Sequence, residues 1–262
     1  METAITAAII ARDEARHLGP CLRSVAWATE RLVVLDHRTT DDSAIVAAAH
    51  GARVVERPFT TFPSQRNAAL ELVRTPWVLF IDADERVTPS LAREILERLA
   101  DPSAAAPVGY WIPRRNLIWG GWIRHGGWYP DYQLRLLRVG RARYDEQRDV
   151  HELVQIDGPT GVLSECLIHY NYVTLAQFIR KQRQYSSLEA ERLARADGRL
   201  RPHSLVLQPL REFRRRLITL AGYRDGWRGI LLASLLSWFT FETEIGRIRR
   251  VRSRAIASDH PG

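Results

Sequence analysis

The chain has 262 residues, 45% of them apolar and 26% charged. That balance excludes a wholly disordered, collagen-like or fibrous chain, and the length suits one large domain or a domain with an appendage. Lys plus Arg number 38 against 30 acidic residues, and Lys181 is the sole lysine, so guanidinium groups carry the net charge of +8. Such groups pair bidentately with phosphate and carboxylate. Two cysteines, Cys21 and Cys166, exclude a disulfide scaffold, lack metal-ligand spacing and suit a reducing, cytoplasmic compartment. The first eleven residues lack a basic start and read poorly as a signal peptide, and no apolar run reaches the ~18–20 residues that span a bilayer.

Residues 5–11 are rich in Ile and Ala and predict a buried strand. Helical spacing follows over 17–28, with Leu18, Leu22 and Val25 on one face. Strands are predicted at 31–35, 52–56 and 77–81, and helices at 41–50 and 63–74, with Gly51 suited to end the helix before it. Thr88 and Pro89 read as the cap and first residue of a helix carrying Leu91, Ile95, Leu96 and Leu99. This alternation predicts an α/β fold, a mostly parallel, Rossmann-like sheet with helices on both faces. A Pro- and Ala-rich linker covers 101–107, and 108–172 is rich in Gly, Trp, Tyr and Arg, with short strands and no long helix. Thr174 and Gln177 form a capping-box pattern at the start of a long helix that breaks at 198–204.

Ligands of open α/β sheets bind beyond the carboxyl ends of the strands. Three of those ends are acidic here: Asp13-Glu14, Asp36 with Asp41 and Asp42, and Asp82-Ala83-Asp84-Glu85. Carboxylates spaced i, i+2 after an apolar strand suit a hard cation such as Mg2+ or Mn2+ that keeps positions open for substrate phosphates. Taken alone, an Asp-x-Asp is equally a solvated turn before a helix.

The segments AIIARDEARHLGPCLRSV, LVVLDHRTTDDS, FPSQRNAAL and WVLFIDADERV, followed by GGWIRHGGWYPDYQLRLLR, DVHELV and LIHYNY, resemble a family 2 glycosyltransferase. The set is similar to bacterial lipopolysaccharide-core β-1,4-glucosyltransferases. The resemblance implies a GT-A fold with a helical C-terminal extension, and metal-dependent, inverting transfer of one sugar, glucose, from a UDP-sugar to a lipid-linked saccharide. A polyprenyl-phosphate or other glycan acceptor is the alternative. By the same resemblance, Ala11 and Glu14 line the nucleoside pocket, and Asp36 accepts from the uracil N3–H. Arg66 and Asn67 face the ribose and diphosphate. Asp82 and Asp84 form the metal motif, Asp84 as direct ligand, with either His151 or His169 joining it. Asp131 is the base, opening a helix with a downstream arginine. Trp122, His125, Trp128, Tyr129 and Glu152 are acceptor contacts, within an aromatic, glycine-rich cluster that reads equally as buried core. Some positions depart from the family pattern: the common D-S-G-S-T-D reads Asp36-His37-Arg38-Thr39-Thr40-Asp41, with Arg38 standing for a glycine where a positive φ is expected, and Asp13 stands for the usual Asn.

Domain expectations follow. Residues 1–172 form the catalytic domain, with a nucleotide-sugar half at 1–100 and an acceptor half at 108–172. Residues 173–262 form a helical region whose segment 205–254 is basic and amphipathic. Val206, Leu210, Phe213, Leu217 and Leu220 share one helical face, and thirteen uncharged residues run from 229 to 241. Residues 205–254 carry eleven arginines against four acids. Such a segment suits an interfacial helix on anionic lipid, predicting a peripheral protein on the inner face of the cell membrane. A nucleic-acid partner is not expected, since no nucleic-acid module accompanies the arginines. A nucleotidyltransferase would carry a Gly-rich loop after the first strand, where ARDEARHLGP stands.

Overall fold

The computed structural model describes residues 4–100, 106–146, 154–196 and 203–258. The first hundred residues form β1 (Ile5–Ala11), α1 (Ala15–Ser24), β2 (Glu30–Asp36), α2 (Ser43–Ala49), β3 (Arg53–Arg57), α3 (Phe62–Leu72), β4 (Trp77–Phe80), β5 (Glu85–Val87) and α4 (Pro89–Leu99). Thr61 and Thr88 cap α3 and α4, their hydroxyls accepting from Ser64 N at 3.2 Å and Leu91 N at 3.1 Å. β1 lies between β2 and β4, parallel to both, and β3 lies parallel to β2. Alternate residues of β1 serve two layers. Ile5, Ala7 and Ile9 pack with Leu18 and Leu22 of α1 and Ile95 of α4, whereas Ala8 packs with Ala69 of α3. Ile5 and Ile9 are fully buried, and a side chain of that size contributes about 1.5–3 kcal/mol on burial.

The next stretch forms β6 (Gly109–Ile118), β7 (Gly121–Trp122), β8 (Asp131–Arg138), β9 (Ala142–Tyr144), β10 (Val154–Ile156), β11 (Thr160–Val162) and β12 (Leu167–Tyr172). The sheet order is β3-β2-β1-β4-β8-β6-β12-β5, with β7 and β11 also paired to β6. β8 pairs antiparallel with both β4 and β6, while β11 runs parallel to β6, so the sheet is mixed. The helix expected after Asp131 is therefore a strand. Its Leu-rich run fits either period, and pairing on both edges, with β4 and β6, holds it extended.

A bulge interrupts β8. Tyr110 pairs with Leu136 and Trp111 with Leu134, which leaves Arg135 as the extra residue. Leu134 and Leu136 consequently face opposite layers, although an uninterrupted strand points them the same way.

Two compact units comprise the chain: Met1–Arg115 with Asp131–Tyr170, and Asn116–Pro130 with Asn171–Gly262. The second contains α5 (Leu175–Ala196), α6 (Ser204–Arg214) and α7 (Gly226–Ser258). Gln177 N donates to Thr174 Oγ1 at 3.1 Å, the cap predicted for α5, while Gln177 Oε1 accepts from Val173 N at 3.0 Å. Ile118, Ile123, Tyr172, Phe178, Leu232 and Phe239 form this unit's core. The single apolar face expected over 206–220 is broken. α6 ends at Arg214, a wider helical turn covers Arg215–Thr219, and Ala221 takes φ 52° before the chain reverses. α7 buries Leu232, Ala233 and Phe239 on one side, whereas Trp227, Ile230 and Trp238 are exposed. Among the described residues, no helix is long and apolar enough to cross a membrane.

Candidate active site

The loops after β1 and β2 are stitched together. Asp13 Oδ1 accepts from Thr40 N at 2.7 Å, Ser43 Oγ from Glu14 N at 2.8 Å, and Asp41 Oδ2 from Ala15 N at 2.9 Å. The positive φ expected at Arg38 falls instead on Asp13, at 51°. Aspartate tolerates that region because its short polar side chain bonds locally, and Arg38 is left in an ordinary conformation. Ala11 is the buried last residue of β1, and Glu14 immediately precedes α1.

Asp36 closes β2 with only 3% of its surface exposed. Its carboxylate is already engaged. Arg38 donates from its backbone N at 3.1 Å, from Nε at 3.1–3.2 Å to both oxygens, and from Nη2 at 2.8 Å. The Arg38 side chain, then its backbone, lower the Asp36 pKa to about 2 against the cost of desolvation. The simple acceptor for a uracil N3–H is thus occupied.

Beyond β4 an alternating chain of charge runs through the same unit. Asp82 meets Arg135 through both oxygens, at 3.2 Å for the Nη1 bond, and Arg66 Nη2 at 3.5 Å. Glu85 is fully buried, accepts from Asp82 N at 2.9 Å, and lies 3.3 Å from Arg114 Nη1 and 3.6 Å from Arg135 Nη2. Arg114 then donates to Asp131 Oδ2 from Nε at 2.9 Å and Nη2 at 2.7 Å, while Gln133 donates to Oδ1 at 2.9 Å. The pairing of Arg114 with Asp131 across β6 and β8 sets this reach. Desolvation opposes ionisation of Asp82, and the charges of Arg135 first and Arg66 next overcome it, so its pKa falls well below the usual carboxylate range.

Asp84 faces His169 of β12, with Oδ2 and Nε2 3.5 Å apart, and its carbonyl accepts from Tyr170 N at 2.9 Å. Burial pushes the imidazole of His17 on α1 down, opposed by the charge of Asp84. An oxygen and an imidazole nitrogen suit a divalent ion, and Mg2+ ordinarily takes few protein ligands and fills its shell from phosphate and water. No group of three or more acidic, His or Cys side chains gathers at one point among the described residues. Asp84 and His169 therefore fit a cation as a pair, while Asp82 is directed at arginines. His151 and Glu152 lie outside the described residues.

Of the remaining expected residues, Arg66 is brought to Asp82, its guanidinium 5.3 Å from the Phe80 ring centre and 5.5 Å from that of Tyr144. Asn67 instead fastens β9: its side chain donates to Tyr144 O at 3.0 Å and Glu146 Oε1 at 2.7 Å, and accepts from Tyr144 N at 2.8 Å. Arg114 and Arg135 were not foreseen by position. Their signal was present as charged residues inside apolar strand runs, in IPRRNLI and DYQLRLLR.

Trp122, His125, Trp128 and Tyr129 belong to the second unit. Trp128 packs edge-on to Tyr172 at 6.4 Å, and Trp122 edge-on to Tyr129 at 5.5 Å. His125 Nδ1 meets Asp225 Oδ1 at 3.0 Å, and Asp225 also accepts from the backbone N–H groups of Arg124 and His125. Gly126 and Gly127 take φ 66° and 82°, and Gly126 N donates to Leu220 O at 2.8 Å. These aromatics are half-buried.

The lipopolysaccharide core biosynthesis glycosyltransferase LpsC of Rhizobium meliloti (strain 1021) is 29% identical over 245 residues, covering 91% of this chain and 90% of that protein. Among solved structures, S. aureus TarS 1-349 in complex with UDP is 14% identical, covering 97% of this chain and 92% of that one with a TM-score of 0.49. Glucosyl-3-phosphoglycerate synthase from Mycobacterium tuberculosis, in complex with Mn2+, UDP and glucosyl-3-phosphoglycerate, is 22% identical, covering 45% of each chain with a TM-score of 0.34. The model of glycosyl transferase family 2 matches residues 6–164, a stretch that holds the acidic ends of β1, β2 and β4 and the chain of charged pairs from Asp82 to Asp131. With its mixed sheet, its helices on both faces and its acidic strand ends, the chain has the GT-A fold and belongs to glycosyl transferase family 2.

Proposed function

We propose that this glycosyltransferase moves one glucose from UDP-glucose to a lipid-linked saccharide of the lipopolysaccharide-core type, with inversion and by a single displacement. The observation that carries this reading is the unbroken chain Asp82–Arg135–Glu85–Arg114–Asp131 beside the Asp84–His169 pair. It joins the motif after β4 to a carboxylate at the start of β8. Similarity to LpsC along 91% of the chain supports the acceptor class.

In this mechanism Asp131 takes the proton of the acceptor hydroxyl. The hydroxyl oxygen bonds to the anomeric carbon as the bond from that carbon to the diphosphate oxygen breaks, and UDP departs with the electron pair. Arg114 and Gln133 hold one carboxylate oxygen each, so the base is oriented before the acceptor arrives. Arg66 and Arg135 bring positive charge to the end of β4, where the diphosphate is proposed to sit. Asp84 and His169 would hold a divalent ion, Mg2+ or Mn2+, whose chemistry is to neutralise the leaving diphosphate. Residues 1–172 are proposed as the catalytic domain. Residues 173–262 are proposed to seat the protein peripherally on the inner membrane face, supported by exposed Trp227, Ile230 and Trp238 beside the arginine-rich tail.

A panel of nucleotide sugars, followed by nucleotide release in the presence of truncated lipopolysaccharide acceptors, tests the donor and acceptor together. Asp131→Asn is expected to keep UDP affinity within about twofold and to lower transfer by about 10²–10⁴-fold. Loss of UDP binding along with transfer would count against the base assignment.

A further inference from the structure

The loop after β2 differs from the family pattern by a residue with chemistry of its own. The Arg38 side chain is 48% exposed and the Asp36 carboxylate beneath its bonds only 3%, so solvent reaches the guanidinium and not the acid. Nε and Nη2 of Arg38 grip both carboxylate oxygens. His37 Nδ1 at 3.3 Å and Arg12 Nη1 at 3.6 Å complete a ring of donors and cations around Asp36. A neutral imide N–H approaching Asp36 has to displace a charge-assisted bidentate pair, which is roughly twice as strong as a neutral hydrogen bond. Meanwhile the described residues give Arg38 Nη1 no hydrogen-bond partner. A guanidinium held this way is planar, donates to carbonyl oxygens and stacks on ring faces.

We propose that Arg38, docked on Asp36, is the group that recognises the donor's nucleobase, donating from its free edge to a ring carbonyl oxygen. Asp36 then acts as a positioning residue. The inference rests on the UDP-sugar reading and sharpens it: the pocket selects bases that carry a ring carbonyl. Uracil has two, cytosine and guanine one each, and adenine none.

The test is calorimetric titration of the intact protein with UDP, CDP, GDP and ADP at fixed Mn2+ and salt, for wild type, Arg38→Gly, Arg38→Lys and Asp36→Asn. Wild type should bind UDP more tightly than ADP. Arg38→Gly should weaken UDP by about tenfold or more while leaving ADP unchanged, so that the discrimination collapses. Arg38→Lys retains the charge without the planar fork and should lose the discrimination as well, and Asp36→Asn should weaken UDP by freeing the guanidinium. A thermal melt of each variant reports folding, and the UDP/ADP ratio is a readout that a purely structural residue does not move. UDP binding to Arg38→Gly as tight as wild type or tighter overturns the proposal, because Arg38 would then merely shield Asp36. Wild type binding ADP as well as UDP overturns it too. A wild-type preference for CDP or GDP would sink the uridine donor alone, and Arg38 would be judged by the same ratio on that nucleotide. No binding of any of the four would sink both.

Discussion

Among the charged residues of the site, Glu85 is one whose loss the fold should feel strongly. It is fully buried, accepts from Asp82 N at 2.9 Å, and faces Arg114 and Arg135 at 3.3 and 3.6 Å. Truncation to alanine removes one carboxylate from between two guanidinium groups that are only 17% and 6% exposed. Breaking a buried ion pair from one side costs about 3–5 kcal/mol. Asp131 and Asp82 still compensate the two arginines, which puts Glu85→Ala at the lower end, about 3 kcal/mol. Glu85→Gln keeps the volume and the acceptor for Asp82 N and removes only the charge, so about 1–2 kcal/mol is expected. With about 2–4 °C of melting temperature per kcal/mol in a domain of this size, the alanine variant should melt roughly 6–12 °C lower. Circular dichroism melts of the full chain measure this. A double-mutant cycle with Arg114→Met should be less than additive, since the same contact is lost in both. An alanine variant melting within about 2 °C of wild type would refute the coupled network.

Asp84→Ala should abolish the Mn2+ dependence of UDP binding while leaving metal-free UDP affinity within about twofold, because only the side chain, not the carbonyl bonded to Tyr170 N, is lost; titrations with and without Mn2+ check this. The folded-state pKa of Asp36, about 2, lies below the ~3.9 of an unfolded aspartate. Its stabilisation is therefore complete above about pH 4 and disappears as pH falls through about 2. The melting-temperature gap between wild type and Asp36→Asn should accordingly close between those values. Ile230→Ala with Trp238→Ala should weaken sedimentation with phosphatidylglycerol vesicles by about tenfold or more while the protein still melts in a cooperative transition, since both side chains are about half exposed.

The layering of the first hundred residues, β5 apart, is legible in local residue pattern alone. Strand and helix periods are local: Ile5, Ala7 and Ile9 face one layer, Ala8 faces the other, and Thr88 stops the chain where a helix begins. The sequence by itself also determined that acidic residues crowd the carboxyl ends of parallel strands, because strand direction follows from the β-α-β order. The run after Asp131 was ambiguous, since leucines at 134, 136 and 137 satisfy a helix or a buried strand, and only pairing with β4 and β6 makes it β8. Which arginine meets which acid is likewise a tertiary matter. The extra residue in β8 is visible only once Tyr110 and Trp111 have found their partners, and that single offset is what frees Arg135 from the alternation of its neighbours and leaves it paired with Asp82 and Glu85. Charge pairing over such separations depends on register and burial, and neither is written in the local pattern of residues.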